Sequence, residues 1–191
     1  MPAARESLLD AAFAALERRP WPRVKMSDVA AAAGVSRQTL YNEFGSKEGL
    51  ARALVRREAD AYLCGVERAL SGVSGAAAPR ERLAAAAVWT VRSAAGNPLV
   101  RAVLTGCWNE RLPTSVRTTP PGEPEPEPLP APGELIGEAR DRAVRLLEGD
   151  WPPGAVELPL ACEAVARLAL SYVVAPAPAA DVARMVRTVL A

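Results

Sequence analysis

The chain has 191 residues, half of them hydrophobic but only 5% aromatic, so a core has to be filled mainly by Ala, Leu and Val. The net charge of +1 excludes a bulk polycation, and the absence of histidine excludes Ser–His and Cys–His nucleophile pairs and histidine metal ligands. Three scattered cysteines, Cys64, Cys107 and Cys162, fit neither a disulfide framework nor a metal knuckle, so no metal or cofactor is expected.

Almost every segment predicts helix, because Ala and Leu dominate and β-branched alternation is nearly absent. A first helix is expected from about Ala3 to Arg19, with Leu9, Phe13 and Leu16 on one face, broken by Pro20-Trp21-Pro22. Ser27 has the position of an N-cap for a short helix Asp28–Ala33, ended by Gly34. Ser36 caps a second short helix, Arg37–Phe44, and Gly45 stops it. Ser46 then caps a long helix to about Leu70, with Leu50, Leu54, Ala61, Val66 and Leu70 turned inward. Residues 71–79 form a break. Further helices are expected at Arg80–Ala95 and Leu99 to about Asn109.

Residues 118–133 carry proline at nearly alternate positions, which removes backbone donors and favours an extended, flexible Pro/Glu-rich loop. A protein-interaction role for that loop is one alternative function. Beyond it come Glu134–Glu148, with Ile136, Ala139, Ala143 and Leu146 on one face, then about Val156–Val174, then Asp181–Leu190. In the penultimate helix Leu158, Ala161, Val165, Leu168 and Tyr172 step by three and four, a heptad-like seam. A second stripe, Cys162, Ala166, Ala169 and Val173, lies beside it.

The informative stretch is Ser27–Leu50: a short helix, a glycine turn, a capped second helix, another tight turn and a third helix. Alanines 30–33 permit a close crossing, and Val29, Val35 and Leu40 can fill the space between. That is the layout of a helix-turn-helix, whose second helix can enter a major groove. On it, Arg37, Gln38, Thr39, Tyr41, Asn42 and Glu43 are open to solvent in this reading. Gln and Asn suit adenine edges, Arg suits guanine or phosphate, and a Thr methyl suits thymine. Ser27, Ser36, Tyr41 and Lys47 complete the expected DNA-binding set, chiefly as phosphate donors. Residues 1–60 hold ten basic against eight acidic side chains, so any electrostatic attraction has to come from local placement and from doubling in a dimer.

On these residues the chain resembles the TetR family of bacterial regulators. The resemblance rests on Leu9-x3-Phe13, Ser27-Asp28-Val29-Ala30, Ala33-Gly34-Val35-Ser36, Thr39-Leu40-Tyr41, Phe44 and Ser46-Lys47-Glu48-x-Leu50, within about residues 3–55. It implies an all-α fold of about nine helices. A three-helix DNA-binding head (1–46) would precede a ligand-binding and dimerisation body (47–191). It also implies homodimerisation through the last two long helices, double-stranded operator DNA as partner, and repression relieved by a small ligand. Thr39, Arg37, Gln38 and Asn42 would approach bases, while Tyr41 and Lys47 would hold phosphates. The chain departs from many members in carrying Asn42-Glu43 before the Phe, where a histidine is common. An acid there should turn away from the DNA backbone.

The expected dimer interface is Leu158, Ala161, Val165, Leu168, Tyr172, Val182, Met185, Val186 and Val189. Tyr62, Trp89, Arg92, Cys107, Trp108, Asn109 and Tyr172 supply aromatic walls and polar groups and are the candidate pocket for a small-molecule ligand. An enzyme is the alternative class. Glu110, Glu163 and Asp181 are candidate acids for it, but none sits in a catalytic spacing. No run of eighteen uncharged apolar residues and no leader-type start are present, so no membrane partner and a cytoplasmic location are expected.

Overall fold

A computed structural model of the chain describes residues 2–72, 77–113 and 129–190. Among them are nine α-helices and no strand: α1 Pro2–Arg18, α2 Met26–Ala32, α3 Arg37–Phe44, α4 Lys47–Gly72, α5 Pro79–Gly96, α6 Pro98–Thr105, α7 Pro132–Leu147, α8 Leu158–Val174 and α9 Ala179–Val189. Short 3-10 turns occur at Trp21–Arg23 and Glu148–Asp150. The chain divides into two compact units, Met1–Glu58 with Trp108–Leu129, and Ala59–Cys107 with Pro130–Ala191.

In the first unit α1 buries Leu8, Leu9, Ala12 and Leu16, a helical three-four spacing, while Phe13 is only half-buried. An Arg19–Asp28 ion pair of 3.0 Å joins the end of α1 to the first turn of α2. Trp21 is buried, and its backbone N–H donates to the Arg111 carbonyl at 2.8 Å. The segment after α6 therefore returns to this unit, where Leu112 is also buried.

The second unit is a bundle in which α5 packs against α6, α8 and α9, and α7 packs against α8. The C-terminal part of α4 meets α5 closely at one point. A Cβ at Gly65 would collide with the Trp89 ring, and the Trp89 indole N–H donates to the Tyr62 carbonyl at 3.2 Å. Glycine at 65 is what lets an indole lie on this helix.

Arg82 of α5 is a buried cation with three roles. Its Nε donates to the Leu70 carbonyl at 2.8 Å, its Nη2 to the Leu146 carbonyl at 2.8 Å, and its Nη1 pairs with Asp150 at 2.7 Å. Leu70 and Leu146 lie in the last turns of α4 and α7, where carbonyls have no partner within the helix and carry the negative dipole end.

Several expectations change. α2 begins at Met26, with Lys25 rather than Ser27 at the N-cap, because buried Met26 joins the apolar face and draws the helix start back. Ser27 lies in the first turn, its hydroxyl 3.3 Å from Asp28 Oδ1. On α4, Ala61 is exposed, and Tyr62 and Leu63 are buried in its place. On α7, Leu135 and Leu147 are buried while Leu146 is half-buried. α6 stops at Thr105, because Gly106 turns the chain with φ 69°, so residues 107–109 are not helical. Pro132 and Gly133, expected in the flexible loop, form the first turn of α7. Most of the expected loop, residues 118–128, lies outside the described residues, as do 73–76 of the expected break after α4.

Arg82→Met removes the donors to the helix-end carbonyls of Leu70 and Leu146. It should lower unfolding stability by about 2–4 kcal/mol in a denaturant titration. Asp150→Asn, at the mostly exposed end of the same network, should cost under about 1 kcal/mol.

Candidate nucleic-acid interface and ligand cavity

The turn between α2 and α3 is built from backbone geometry. Gly34 has φ 69°, a conformation that L side chains rarely adopt, and the Val35 N–H closes on the Ala30 carbonyl at 3.0 Å. Ser36 is the N-cap of α3: its Oγ accepts from the Thr39 N–H at 3.0 Å and lies 2.8 Å from Thr39 Oγ1. Leu40 is the one fully buried residue of α3, plugged between helices, with Val29 and Ala30 of α2 buried as well.

Everything else on the outer face of α3 is open. Ser36, Arg37, Gln38, Thr39, Tyr41 and Asn42 are all exposed, Tyr41 to 40%. The Gln38 side-chain amide donates to Asn42 Oδ1 at 2.8 Å, which pre-orients both amides one turn apart. The Thr39 hydroxyl is occupied by the cap. Gly45, with φ 69°, ends the helix, and the Ser46 hydroxyl accepts from the Gly49 N–H at 3.1 Å at the start of α4.

Two ties brace this helix pair. Lys47 is half-buried: its Nζ donates to the Pro22 carbonyl at 3.1 Å and lies 5.6 Å from the Trp21 ring centre. Burial draws its ammonium below the usual lysine value, with Glu48 opposing. Arg5 of α1 pairs with Glu43 at 2.7 Å and lies 4.9 Å above the Phe44 ring. Glu43 is thereby turned toward α1 and held by a cation. Neither tie was legible in the sequence, since the partners are 25 and 38 residues apart.

The seven residues expected to form a ligand pocket do not all meet in one cavity: Trp89 and Arg92 line one open cleft on α5, and the Trp89 indole reaches the Tyr62 carbonyl. Arg92, Cys107 and Asn109 are exposed, and Trp108 belongs to the first compact unit while Tyr62, Trp89 and Tyr172 belong to the second. The early end of α6 is the reason for the Cys107–Asn109 departure. Of the seven, Tyr62 alone lines a small, half-open cavity of the second unit, between α4, α5, α7 and α8, with Leu83, Thr90, Ala143, Cys162 and Val165 among its other walls. The cavity measures ≈ 30 Å³, room for about one water. Its polar lining is the Tyr62 and Thr90 hydroxyls, the Cys162 thiol and Arg140. The Tyr62 hydroxyl meets Thr90 Oγ1 at 3.1 Å, and burial raises its pKa against that hydrogen bond. Burial also pushes the Cys162 thiol up to about 12, with Arg140 opposing, so it is a neutral, unreactive wall. The sequence signal missed these walls because most are small apolar residues spread over four helices.

The expected dimer seam is mostly internal. Leu158, Ala161, Val165, Val182 and Val186 are buried within the single chain, Leu168 and Tyr172 are half-buried, and only Met185 and Val189 are well exposed. α8 packs against α5 and α7, and the buried residues of both its stripes lie within the body. A third stripe, Leu160, Ala164, Arg167, Ser171 and Val174, spaced four and three, is the one that faces out. Leu160 and Val174 are about 60% exposed.

Among the described residues no group of three or more His, Cys, Asp or Glu could hold a metal, and no helix is long and apolar enough to cross a membrane.

The family profile described as "Bacterial regulatory proteins, tetR family" matches residues 8–54, the span from α1 into α4. The chain is 34% identical, over 95% of its own length and 82% of the relative's, to the HTH-type transcriptional regulator AlkX of Mycobacterium tuberculosis. In fold it is similar to the TetR family repressor AlkX from Dietzia sp. strain DQ12-45-1b, implicated in biodegradation of n-alkanes (TM-score 0.58, 24% identity, 96% and 93% of the two chains). It is also similar to a TetR/AcrR-family regulator from Thermobifida fusca YX-ER1 (TM-score 0.63, 18% identity, 97% and 95%). With its helix-turn-helix exposed as described and this identity spanning nearly the whole chain, the protein belongs to the TetR family and is a DNA-binding transcriptional regulator, not an enzyme.

Proposed function

We propose that the protein is a homodimeric repressor that reads a palindromic operator with α3 and is released from it by a small apolar ligand. Residues 1–46 act as the DNA-binding domain, and 47–191 carry ligand binding and dimerisation. The observation that carries the reading is the outer face of α3: six polar or aromatic side chains in the open, anchored by a single buried leucine. Gln38 and Asn42 address base edges as a pre-oriented amide pair, with Arg37 and the Thr39 methyl beside them. Tyr41, Ser36, Ser27 and Lys47 hold phosphates.

Two half-sites need two copies. The outward stripe of α8, Leu160 to Val174, together with Met185 and Val189 of α9, is the face a second copy covers. Exposed large apolar residues concentrated on the last two helices support this assignment.

A ligand in the second unit has to enlarge a water-sized cavity lined mainly by apolar atoms. An apolar chain suits those walls, and the n-alkane context of the Dietzia regulator points the same way. Opening the cavity displaces Tyr62 on α4, and α4 continues unbroken back to Lys47. A ligand that favours the displaced state of Tyr62 shifts the population away from the DNA-competent state.

Fluorescence anisotropy on DNA from the promoter region of the gene tests the operator reading. Lys47→Ala should weaken binding to all sequences alike and flatten the salt dependence by about one unit of slope. Gln38→Ala should cost about 1–3 kcal/mol on the preferred operator and relax one base position. Equal binding of every operator variant by parent and Gln38→Ala would remove α3 base reading.

Light scattering tests the interface. Leu160→Glu should give a monomer with unchanged helical circular dichroism, whereas Val165→Glu should unfold the body; a dimeric Leu160→Glu would place the interface elsewhere. Adding decane or decanoate to the operator complex should release DNA. Ala166 is another wall of the cavity, and Ala166→Leu, which fills it, should abolish release without lowering operator affinity.

A further inference from the structure

The hydroxyls of Tyr62 and Thr90 meet at 3.1 Å in the wall of the small cavity of the body, and a third group fixes which of them donates. Thr90 Oγ1 also lies 3.0 Å from the Ala86 carbonyl oxygen, one turn earlier on α5. A carbonyl oxygen only accepts, so the Thr90 proton goes to Ala86. Thr90 Oγ1 is then the acceptor for Tyr62, whose proton has no other acceptor among the described residues. The reverse assignment would leave a buried phenol O–H unpaired, a state that folded proteins avoid. The hydrogen bonds therefore run one way, from Tyr62 through Thr90 to the backbone of α5.

With its proton committed, the Tyr62 oxygen keeps free lone pairs and has nothing to donate. Burial raises the Tyr62 pKa, so the phenol stays neutral. The void that these hydroxyls line has room for about one water, the size of a single small head group. The rest of the lining offers little to an anion. Arg140 is paired with Asp141 at 2.8 Å and with Glu163 at 3.4 Å, and Glu163 also takes Arg167 at 2.7 Å, so two cations there meet two carboxylates. The Cys162 thiol is the one other neutral polar group of the walls and is a weak donor.

We propose that the cavity selects a ligand with an uncharged hydrogen-bond donor at its head, an alkanol whose hydroxyl donates to the Tyr62 oxygen, over an ether, aldehyde or carboxylate of the same chain. The proposal rests on the reading of this cavity as the ligand site and names the chemistry of its ligand. A donor adds one hydrogen bond to those already made. An acceptor-only head group has to take the Tyr62 proton from Thr90, which exchanges one bond for another and gains none. A carboxylate carries in addition the cost of burying its charge.

Equilibrium dialysis of the full chain with 1-octanol and with heptyl methyl ether, matched in heavy atoms, reads the preference. Comparing alcohol-to-ether affinity ratios between proteins cancels the different hydration of the two ligands. The ratio in the parent should exceed that in Tyr62→Phe about three- to tenfold, the contribution of one hydrogen bond. Thr90→Val frees the Tyr62 proton for the ligand and should tighten ether binding several-fold over the parent. Circular dichroism checks folding, and either variant decides alone if the other does not fold. Equal ratios in parent and Tyr62→Phe, or ether binding unchanged in Thr90→Val, with Ala166→Leu still excluding both ligands, overturn the head-group assignment and leave the cavity as the ligand site. Binding of neither ligand by the parent, or binding that Ala166→Leu leaves untouched, overturns the cavity reading and the assignment with it.

Discussion

The body of this protein turns on where the ends of two helices meet a single cation. The C-terminal carbonyls of α4 and α7 converge on Arg82, which donates to Leu70 and Leu146 and is itself balanced by Asp150. Two helix C-termini brought together without a cation would repel through their dipoles and bury unpaired carbonyls. Arginine is suited to the position because its fork reaches several acceptors in fixed directions, which an ammonium would not. With α4 and α7 held there, α5 can pack α8 and α9 on its other sides, and the cavity between α4, α5, α7 and α8 acquires its walls.

The head obeys a different constraint. Its two short helices, of seven and eight residues, are too short to be stable alone and depend on caps and tertiary ties. Gly34 supplies the turn, Ser36 starts α3, and Leu40 anchors it. The outer face of α3 is then left with almost no internal task, which frees its polar side chains for a partner. Bracing comes from the flanks, through Arg5–Glu43 on one helix and Lys47 over Trp21 on another. Glu43 illustrates the division: the one acid of α3 is turned to the flank and neutralised by a guanidinium from α1.

Small residues shape the body as much as large ones. Gly65 admits the Trp89 ring, and alanines on α5, α7 and α8 let the helices approach until only a water-sized space remains. Packing that close resists gradual deformation, so a guest has to shift helices rather than slip between them.

The amino-acid sequence by itself determined the helical class, the number and order of helices, and the capped turn that exposes α3. These rest on local chemistry: proline and glycine breaks, Ser36 three residues before Thr39, and a three-four apolar spacing. Local signals also erred locally. Ser27 looked like a cap until buried Met26 drew the start of α2 back, and α6 looked longer than Gly106 allows. Which apolar stripe of α8 faces outward was not legible, because three stripes of similar spacing compete and only packing against α5 and α7 decides between them. The cavity was not legible for the same reason: its walls come from four helices far apart in the chain and are mostly plain alanine, leucine and valine. Long-range pairings such as Arg5–Glu43 and Arg82–Leu146 belong to the tertiary structure alone, since a charged side chain carries no local mark of the partner that folding brings to it.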